Sequence, residues 1–348
     1  MKRKEQFCQY LLSWYDENKR CLPWRHTDDP YLIWVCEIMA QQTRISFLLD
    51  YYNRFTKQFP DVQSLANAEE ADVLKAWEGL GYYSRARNLW KAAQKVVLDF
   101  NGALPKTKKE LLSLPGIGEY TAGAIMSIAY GIPTPAVDGN VLRVFSRLEN
   151  SDSDISLPQT RRATANLVET VMPKGRAGGF TQALMELGAL ICIPKNPNCI
   201  HCPVSELCEA YIIGTQKELP KKSPKSSPKP INKTILIIQN SQSEILMRQR
   251  SEKLLLGLWE FYSLDEFVNE EDISTHLQSL GLTAYEIKPL GTAKHIFTHL
   301  IWQMRGYICK SENQNAPHGY RWIGKFEFET LAIPAALRFY VQKVLNDN

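Results

Sequence analysis

The spacing of hydrophobic and polar positions changes period once along the chain. From Tyr31 to Phe59, apolar residues recur at 34, 38, 45, 48, 49, 52 and 55, the spacing of one helical face. Asp72–Trp77, Ser84–Phe100, Lys108–Leu114, Thr121–Tyr130, Val141–Leu148 and Arg161–Val171 read as further helices, with proline or glycine at many of their boundaries. Beyond about residue 220 the texture becomes β-rich, in the runs Thr234–Gln239, Ile245–Arg250, Trp259–Tyr262 and Leu300–Cys309. Ile273–Leu280 and Pro334–Leu345 read as helices among them. Between the two textures lies KELPKKSPKSSPKPINK, rich in proline, serine and lysine and without an aromatic residue, which cannot build a packed core. The pattern therefore predicts an all-α domain over 1–216, an extended linker over 217–233 and a smaller α+β domain over 234–348.

Charge sharpens this division. The 348 residues carry 41 Lys+Arg against 37 Asp+Glu, a formal net charge of +4, which excludes a histone-like tail and a strongly acidic solvating chain. Residues 217–233 hold six of those lysines against one glutamate, so the flanking domains are near neutral. A nucleic acid would have to be held by local patches, for which Lys106, Lys108, Lys109, Arg85 and Arg87 are the candidates. No apolar stretch follows the basic N-terminus as in a secretory signal. Tyr120–Val137 is uncharged, but Gly123, Gly131, Pro133 and Pro135 argue against one unbroken spanning helix. A cytoplasmic protein with no membrane partner is expected.

Cysteine placement points to a metal. Cys8, Cys21, Cys36 and Cys309 are scattered, whereas Cys192, Cys199, Cys202 and Cys208 form C-x6-C-x2-C-x5-C. Clustered thiols in a chain of this length suggest a four-thiolate site, either structural zinc or an iron–sulfur cluster. Three further features carry candidate chemistry. Leu114-Pro115-Gly116-Ile117-Gly118 joins two helices and exposes backbone N–H groups at a helix start, which suits a phosphate, or else simply reverses the chain. Glu37 falls about 60° from Trp34 and about 40° from Gln41 on a helical wheel, on an apolar stripe. A carboxyl there is either paired, with Arg25 or another base, or kept protonated as a general acid. Asp138, just before a helix, reads as an N-cap and equally as a rigid, ionised charge stabiliser opposite a protonated Glu37.

Taken together, Pro23-Trp24-Arg25, Trp34 to Thr43 (WVCEIMAQQT), Gly79-Leu80-Gly81-Tyr82-Tyr83, Leu114 to Gly118, Val137-Asp138-Gly139-Asn140 and the four cysteines resemble the MutY-type adenine DNA glycosylases of the helix-hairpin-helix superfamily that includes endonuclease III. The resemblance spans essentially the whole chain. It implies an all-α helix-hairpin-helix glycosylase domain with a four-cysteine iron–sulfur subdomain (loop 192–208), followed by a Nudix-like α+β domain that recognises the lesion. It implies a monomer that binds double-stranded DNA carrying A:8-oxoguanine or A:G mispairs, associated with the nucleoid if the source is bacterial, and that flips out and hydrolyses undamaged adenine. Glu37 would protonate adenine N7, Asp138 would stabilise the oxocarbenium ion, Asn140 would orient Asp138, and Tyr120 would lie against the cation. Arg25 and Gln182 would contact the flipped base. Gln42 and Tyr82 would fill the stack, with Thr43 near the opposite base and Gly116 and Gly118 on the phosphates. A 4Fe–4S cluster would be held by Cys192, Cys199, Cys202 and Cys208.

Two positions refine that expectation. Where bifunctional relatives carry a Schiff-base lysine this chain has Tyr120, and GIGEYTAG over 116–123 contains no lysine, so base excision without efficient strand cleavage is expected. His295-Ile296-Phe297-Thr298-His299 resembles the family's lesion-reading loop, with threonine where serine is usual, and Phe297, Thr298 and His299 are its candidates. Ala40 stands where a larger apolar residue is common. The REXXEE helix of active Nudix enzymes is missing, and Glu270-Glu271-Asp272 is too compact to replace it, so nucleotide hydrolysis is not expected. Two other classes compete: an endonuclease III-like lyase, disfavoured by Tyr120 and the extra domain, and a DNA-binding scaffold without chemistry, disfavoured by Glu37 and Asp138.

Overall fold

The computed structural model describes residues 2–224 and 226–346. Two compact units emerge. The first runs to Asn67 and resumes over Asn88–Pro224; the second takes Ala68–Arg87 together with the chain from 226 onward.

The first unit is helical. Its core gathers Phe7, Leu11, Val141, Val144, Phe145, Phe180, Leu184 and Leu187 from the helices Lys2–Asn18, Gly139–Leu148 and Ala177–Leu190. Against this core lie Cys192, Cys202 and Cys208. The expected single helical run from Tyr31 to Phe59 is two helices, Pro30–Ala40 and Ile45–Gln58. The break falls at Gln41–Arg44, where Gln42 takes a left-handed φ of 60°. An apolar period cannot show such a break, because both helices place their stripes on one core. Asp29 caps the first helix by accepting from the Tyr31 N–H at 2.8 Å, with Pro30 opening it.

Helices Lys2–Asn18 and Ala177–Leu190 have no counterpart in the sequence reading. The second is buried on so many sides, from Ala177 and Phe180 through Glu186 to Gly188, that it lacks a polar face to mark its period. The helix expected over Thr121–Tyr130 is α-helical for Glu119–Ala124 and widens to π-helix over Ile125–Ala129.

The second unit holds a six-stranded mixed sheet: β1 (Lys229–Gln239), β2 (Ile245–Gln249), β3 (Trp259–Leu264), β4 (Ala284–Ile296), β5 (Leu300–Ser311) and β6 (Arg321–Ile323). Their order is β4-β5-β1-β3-β2-β6, with β1 and β5 parallel and the other pairs antiparallel. One face packs against Ala336, Leu337 and Tyr340, and the other against Ile273 and Leu277 of the helix Glu270–Ser279. Edge strand β4 escapes the sequence reading because Pro289 and Gly291 interrupt its alternation, and there the register shifts. No helix among the described residues is long and apolar enough to cross a membrane.

The segment expected to be a solvated linker is anchored at both ends. Leu219 is buried, and its carbonyl accepts from Arg147 Nε at 3.0 Å. At the other end Lys229–Lys233 already belong to β1, paired with Leu300–Met304. Pro230 is tolerated because β3 joins β1 only from Thr234, which leaves one side of the earlier residues without a strand neighbour. Lys233 is buried and ion-paired with Asp265. Lys225 lies outside the described residues.

Candidate functional site

Glu37 sits in the last turns of the Pro30–Ala40 helix, buried on the apolar stripe as its position on the helical wheel requires. Tyr120, in the first turn of the second hairpin helix, donates its hydroxyl to Glu37 Oε2 at 2.5 Å. Burial drives the Glu37 carboxyl up to about 7; Asp138 adds to the rise, while Tyr120 and Arg25 oppose it. A carboxyl held near neutrality can both carry and release a proton.

Asp138 is the N-cap of helix Gly139–Leu148, with Oδ1 accepting from the Val141 N–H at 2.8 Å. Its other oxygen accepts from Asn140 Nδ2, also at 2.8 Å. The sequence reading placed Asp138 in a polar setting. Burial in fact raises its carboxyl too, with the Val141 and Asn140 donors pulling it back. The expected N-cap is present, and its carboxylate is more buried than a polar setting implies. Asn140 is in turn held by Arg143 Nη2, which donates to Asn140 Oδ1 and to the Gly188 carbonyl, each at 2.8 Å; Arg143 Nε donates to the Cys192 carbonyl at 2.7 Å. Gly188 permits this approach, since a Cβ there would lie 2.5 Å from Asn140 Cβ.

These groups share a cleft of about 770 Å³ lined by Arg25, Glu37, Gln41, Gln42, Thr43, Gly116, Gly118, Tyr120, Asp138 and Asn140. A small chamber of about 40 Å³ at its end is lined by Trp24, Arg25, Ile33, Cys36, Glu37, Ile128, Gln182 and Met185. Residues expected on one site from separate motifs thus meet within one concavity. Gly116 takes φ 78° in the hairpin turn, and Gly118 caps the following helix with no side chain over its first N–H groups. Gln41 to Thr43 form the interhelical turn and not the further helical turn expected; Gln42 is exposed at its tip.

The wall of the larger cleft, beside the chamber, holds a charge group that the residue spacing did not reveal. Glu186 is fully buried and takes Arg20 Nε at 2.9 Å, Arg20 Nη2 at 2.6 Å and Arg25 Nη2 at 2.5 Å. Gln182, one turn earlier, accepts from the Tyr15 hydroxyl at 2.5 Å. The available signal was a lone carboxylate in the apolar run Leu184-Met185-Glu186-Leu187, the same anomaly that marked Glu37. Arg161 was also missed; it lines the cleft and donates to the Val137 carbonyl at 2.5 Å.

Of the four clustered cysteines, Cys192, Cys202 and Cys208 pack against the core of the same unit. Arg147 Nη1 donates to Cys192 Sγ at 3.3 Å. Burial pushes the Cys202 thiol up to about 12, with the other three cysteines adding to the rise and the Val204 N–H opposing it. No three His, Cys, Asp or Glu side chains among the described residues are close enough to hold a single metal ion.

In the second unit, Phe297 to His299 form the tip of the β4–β5 hairpin, with the Phe297 N–H donating to the Leu300 carbonyl at 2.8 Å. Phe297 packs edge-on against Trp302 at 4.9 Å and His295 at 4.6 Å, while Thr298 and His299 are exposed. Tyr82, 47% exposed with φ 48°, hydrogen-bonds Thr298 Oγ1 at 2.6 Å. Both candidates for filling a base stack, Gln42 and Tyr82, therefore stand on left-handed backbone, a strained conformation for non-glycine residues. The expectation that Arg85 and Arg87 face phosphates is not met. Arg85 stacks over Trp77 and Tyr82 and donates to the Leu80 and Gly81 carbonyls, while Arg87 is held by Glu70 and the Leu256 carbonyl.

Residues 35–170 match the family described as HhH-GPD superfamily base excision DNA repair protein, and residues 234–343 match the NUDIX domain. The adenine DNA glycosylase of Mus musculus is 34% identical, over 95% of this chain and 76% of its own length. That of Buchnera aphidicola subsp. Baizongia pistaciae is 32% identical, over 98% of this chain and 97% of its own. Among solved structures, a thermostable thymine-DNA glycosylase aligns with a TM-score of 0.56 at 32% identity, over 61% of this chain and 98% of that one. A non-covalent endonuclease III–DNA complex shares the fold, with a TM-score of 0.51 at 22% identity over 62% of this chain and 99% of that one. Relatives of one kind matched over most of the chain and the two matched domains lead to one conclusion: the chain belongs to the MutY-type adenine DNA glycosylases, base-excision repair hydrolases of N-glycosyl bonds with a helix-hairpin-helix domain and a Nudix-like C-terminal domain.

Proposed function

We propose that this protein removes adenine mispaired with 8-oxoguanine or guanine, using Glu37 as general acid and Asp138 as the charge that stabilises the sugar cation. The observation that carries the reading is the Tyr120–Glu37 hydrogen bond in the wall of a cleft that also presents Asp138. A base must leave the stack for its glycosidic bond to be reached, and the chamber beside Glu37, Arg25 and Gln182 is where it would enter. Glu37 gives its proton to adenine N7; the C1′–N9 bond then breaks, and its electron pair leaves with the base. The positive charge left on the sugar faces Asp138, whose geometry is fixed by Val141 and Asn140 before the reaction begins. Water adds to C1′ and loses its proton.

The hairpin turn offers backbone N–H groups and no lysine, so no amine attacks C1′. Single-turnover incubation with an A:8-oxoguanine duplex is expected to release free adenine and leave an alkali-labile, uncut strand that borohydride does not trap on the protein. Covalent trapping at the level of a true lyase contradicts this. On the same duplexes, Phe297→Ala with His299→Ala is expected to narrow the rate preference for 8-oxoguanine over guanine opposite adenine. An unchanged ratio removes the hairpin tip from lesion recognition.

The cysteine loop suits a 4Fe–4S cluster. Its sulfurs act on one another electrostatically, and backbone N–H groups of Val204 and Tyr211 stabilise the thiolate forms of Cys202 and Cys208. Cys192, Cys199, Cys202 and Cys208 would hold the cluster, which when bound crosslinks residues 192–208 to the helical core. A broad brown visible absorption of the purified protein is expected. A colourless protein with stoichiometric zinc contradicts it.

A further inference from the structure

We infer that Glu186 is a positioning residue that holds Arg25 paired beside the chamber and thereby keeps Glu37 able to carry its proton at neutral pH; this rests on Glu37 being the acid. The carboxylate is fully buried and takes four N–H donors. The Arg20 backbone N–H at 3.0 Å and Nε at 2.9 Å reach Oε1, while Arg20 Nη2 at 2.6 Å and Arg25 Nη2 at 2.5 Å reach Oε2. Burial alone would raise Glu186, but the two arginines carry it down to about 2, so it stays ionised wherever the protein is folded and active. Arg25 Nη1, buried and without a hydrogen-bond partner, is left as an open donor in the chamber wall.

The groups facing Glu37 come from four elements besides its own. Tyr120 comes from the hairpin helix, Asp138 from the cap of Gly139–Leu148, Arg25 from the turn Pro23–Arg25, and Gln182 and Met185 from Ala177–Leu190; Cys36 is its helix neighbour. Asp138 supplies negative charge to this set and Arg25 positive charge. A nearby cation favours the carboxylate and so weakens an acid. Arg20, Arg25 and Glu186 together carry one net positive charge. Removing Glu186 leaves two positive charges beside the acid, whereas removing Arg20 leaves none. The two changes disturb the same packing but act on Glu37 with opposite sign.

That opposition supplies the test, read as the alkaline limb of the single-turnover rate of adenine release from an A:8-oxoguanine duplex. Glu186→Gln is expected to move the limb to lower pH by about half a unit to one unit, and Arg20→Gln to move it to higher pH. A purely structural role slows both variants without moving either limb. Limbs that stay in place, or move in the same direction, overturn the inference. Should Glu186→Gln not fold, Arg20→Gln decides alone: a limb that stays or moves to lower pH overturns it. Glu37→Gln separates the two readings. If that variant keeps the wild-type limb, Glu37 is not the acid; if it loses the limb while both charge variants keep it, only the role of Glu186 falls.

Discussion

Glu37→Gln is expected to bind an A:8-oxoguanine duplex with nearly unchanged affinity while releasing adenine about 10³-fold more slowly. A positioned general acid is worth on the order of 10² to 10⁴ in rate, and little of that survives an amide that cannot give up a proton. The substitution is conservative in every other respect. Gln matches the shape of Glu, and its carbonyl oxygen can accept the Tyr120 hydroxyl as Glu37 Oε2 does. It also removes a carboxyl that burial disfavours in its charged form, so the variant is expected to melt no lower than the wild type. Lost rate with retained or increased stability is the signature of a residue kept for chemistry at the expense of packing. A rate within tenfold of wild type, measured as free adenine under single turnover, removes Glu37 from the role of acid.

Asp138→Asn is expected to slow release by about 10²- to 10³-fold, the usual loss when a preorganised electrostatic stabiliser is neutralised. The helix should survive. Asn is as good an N-cap as Asp, so its side-chain oxygen can still accept from the Val141 N–H. The second hydrogen bond cannot survive unchanged, because the new amide nitrogen would face the Asn140 Nδ2 donor where a carboxylate oxygen now accepts. A stability loss of about 1 kcal/mol is expected from that mismatch. Chemical denaturation and the rate of adenine release distinguish the two consequences. A fall in rate no larger than the fall in folded fraction would mean that Asp138 serves the helix and not the reaction.

The sequence made the Glu37–Asp138 candidate pair legible for a physical reason. A carboxylate within Ile33-Trp34-Val35-Cys36-Glu37-Ile38-Met39 conflicts with its apolar surroundings, and such conflicts collect at functional sites. Asp138 was legible because capping residues announce themselves by position. The pairing of Arg20 with Glu186 was not, since ion pairs between residues so far apart in the chain leave no spacing to detect, although Glu186 alone carried the same anomaly as Glu37. The split of Tyr31–Phe59 into two helices was hidden for a related reason: periodicity reports which face is buried, not whether the backbone continues. Composition misled at Lys229–Lys233, where proline and lysine suggested solvent but β5 supplies a strand partner. The arginines after Tyr82 likewise read as phosphate contacts by charge alone, whereas their geometry holds the surrounding loops.

On the proposed mechanism, a proton stored on Glu37 near neutrality drives departure of adenine. The most direct measurement is the single-turnover rate of adenine release from an A:8-oxoguanine duplex between pH 5.5 and 9, under conditions where the duplex is saturated with protein. A group with its carboxyl raised to about 7 carries its proton below that pH and loses it above. The rate is expected to fall progressively as pH rises through about 7, approaching a tenfold loss per unit beyond it, and Glu37→Gln is expected to lack that limb. A rate constant that stays level up to pH 9 contradicts that mechanism.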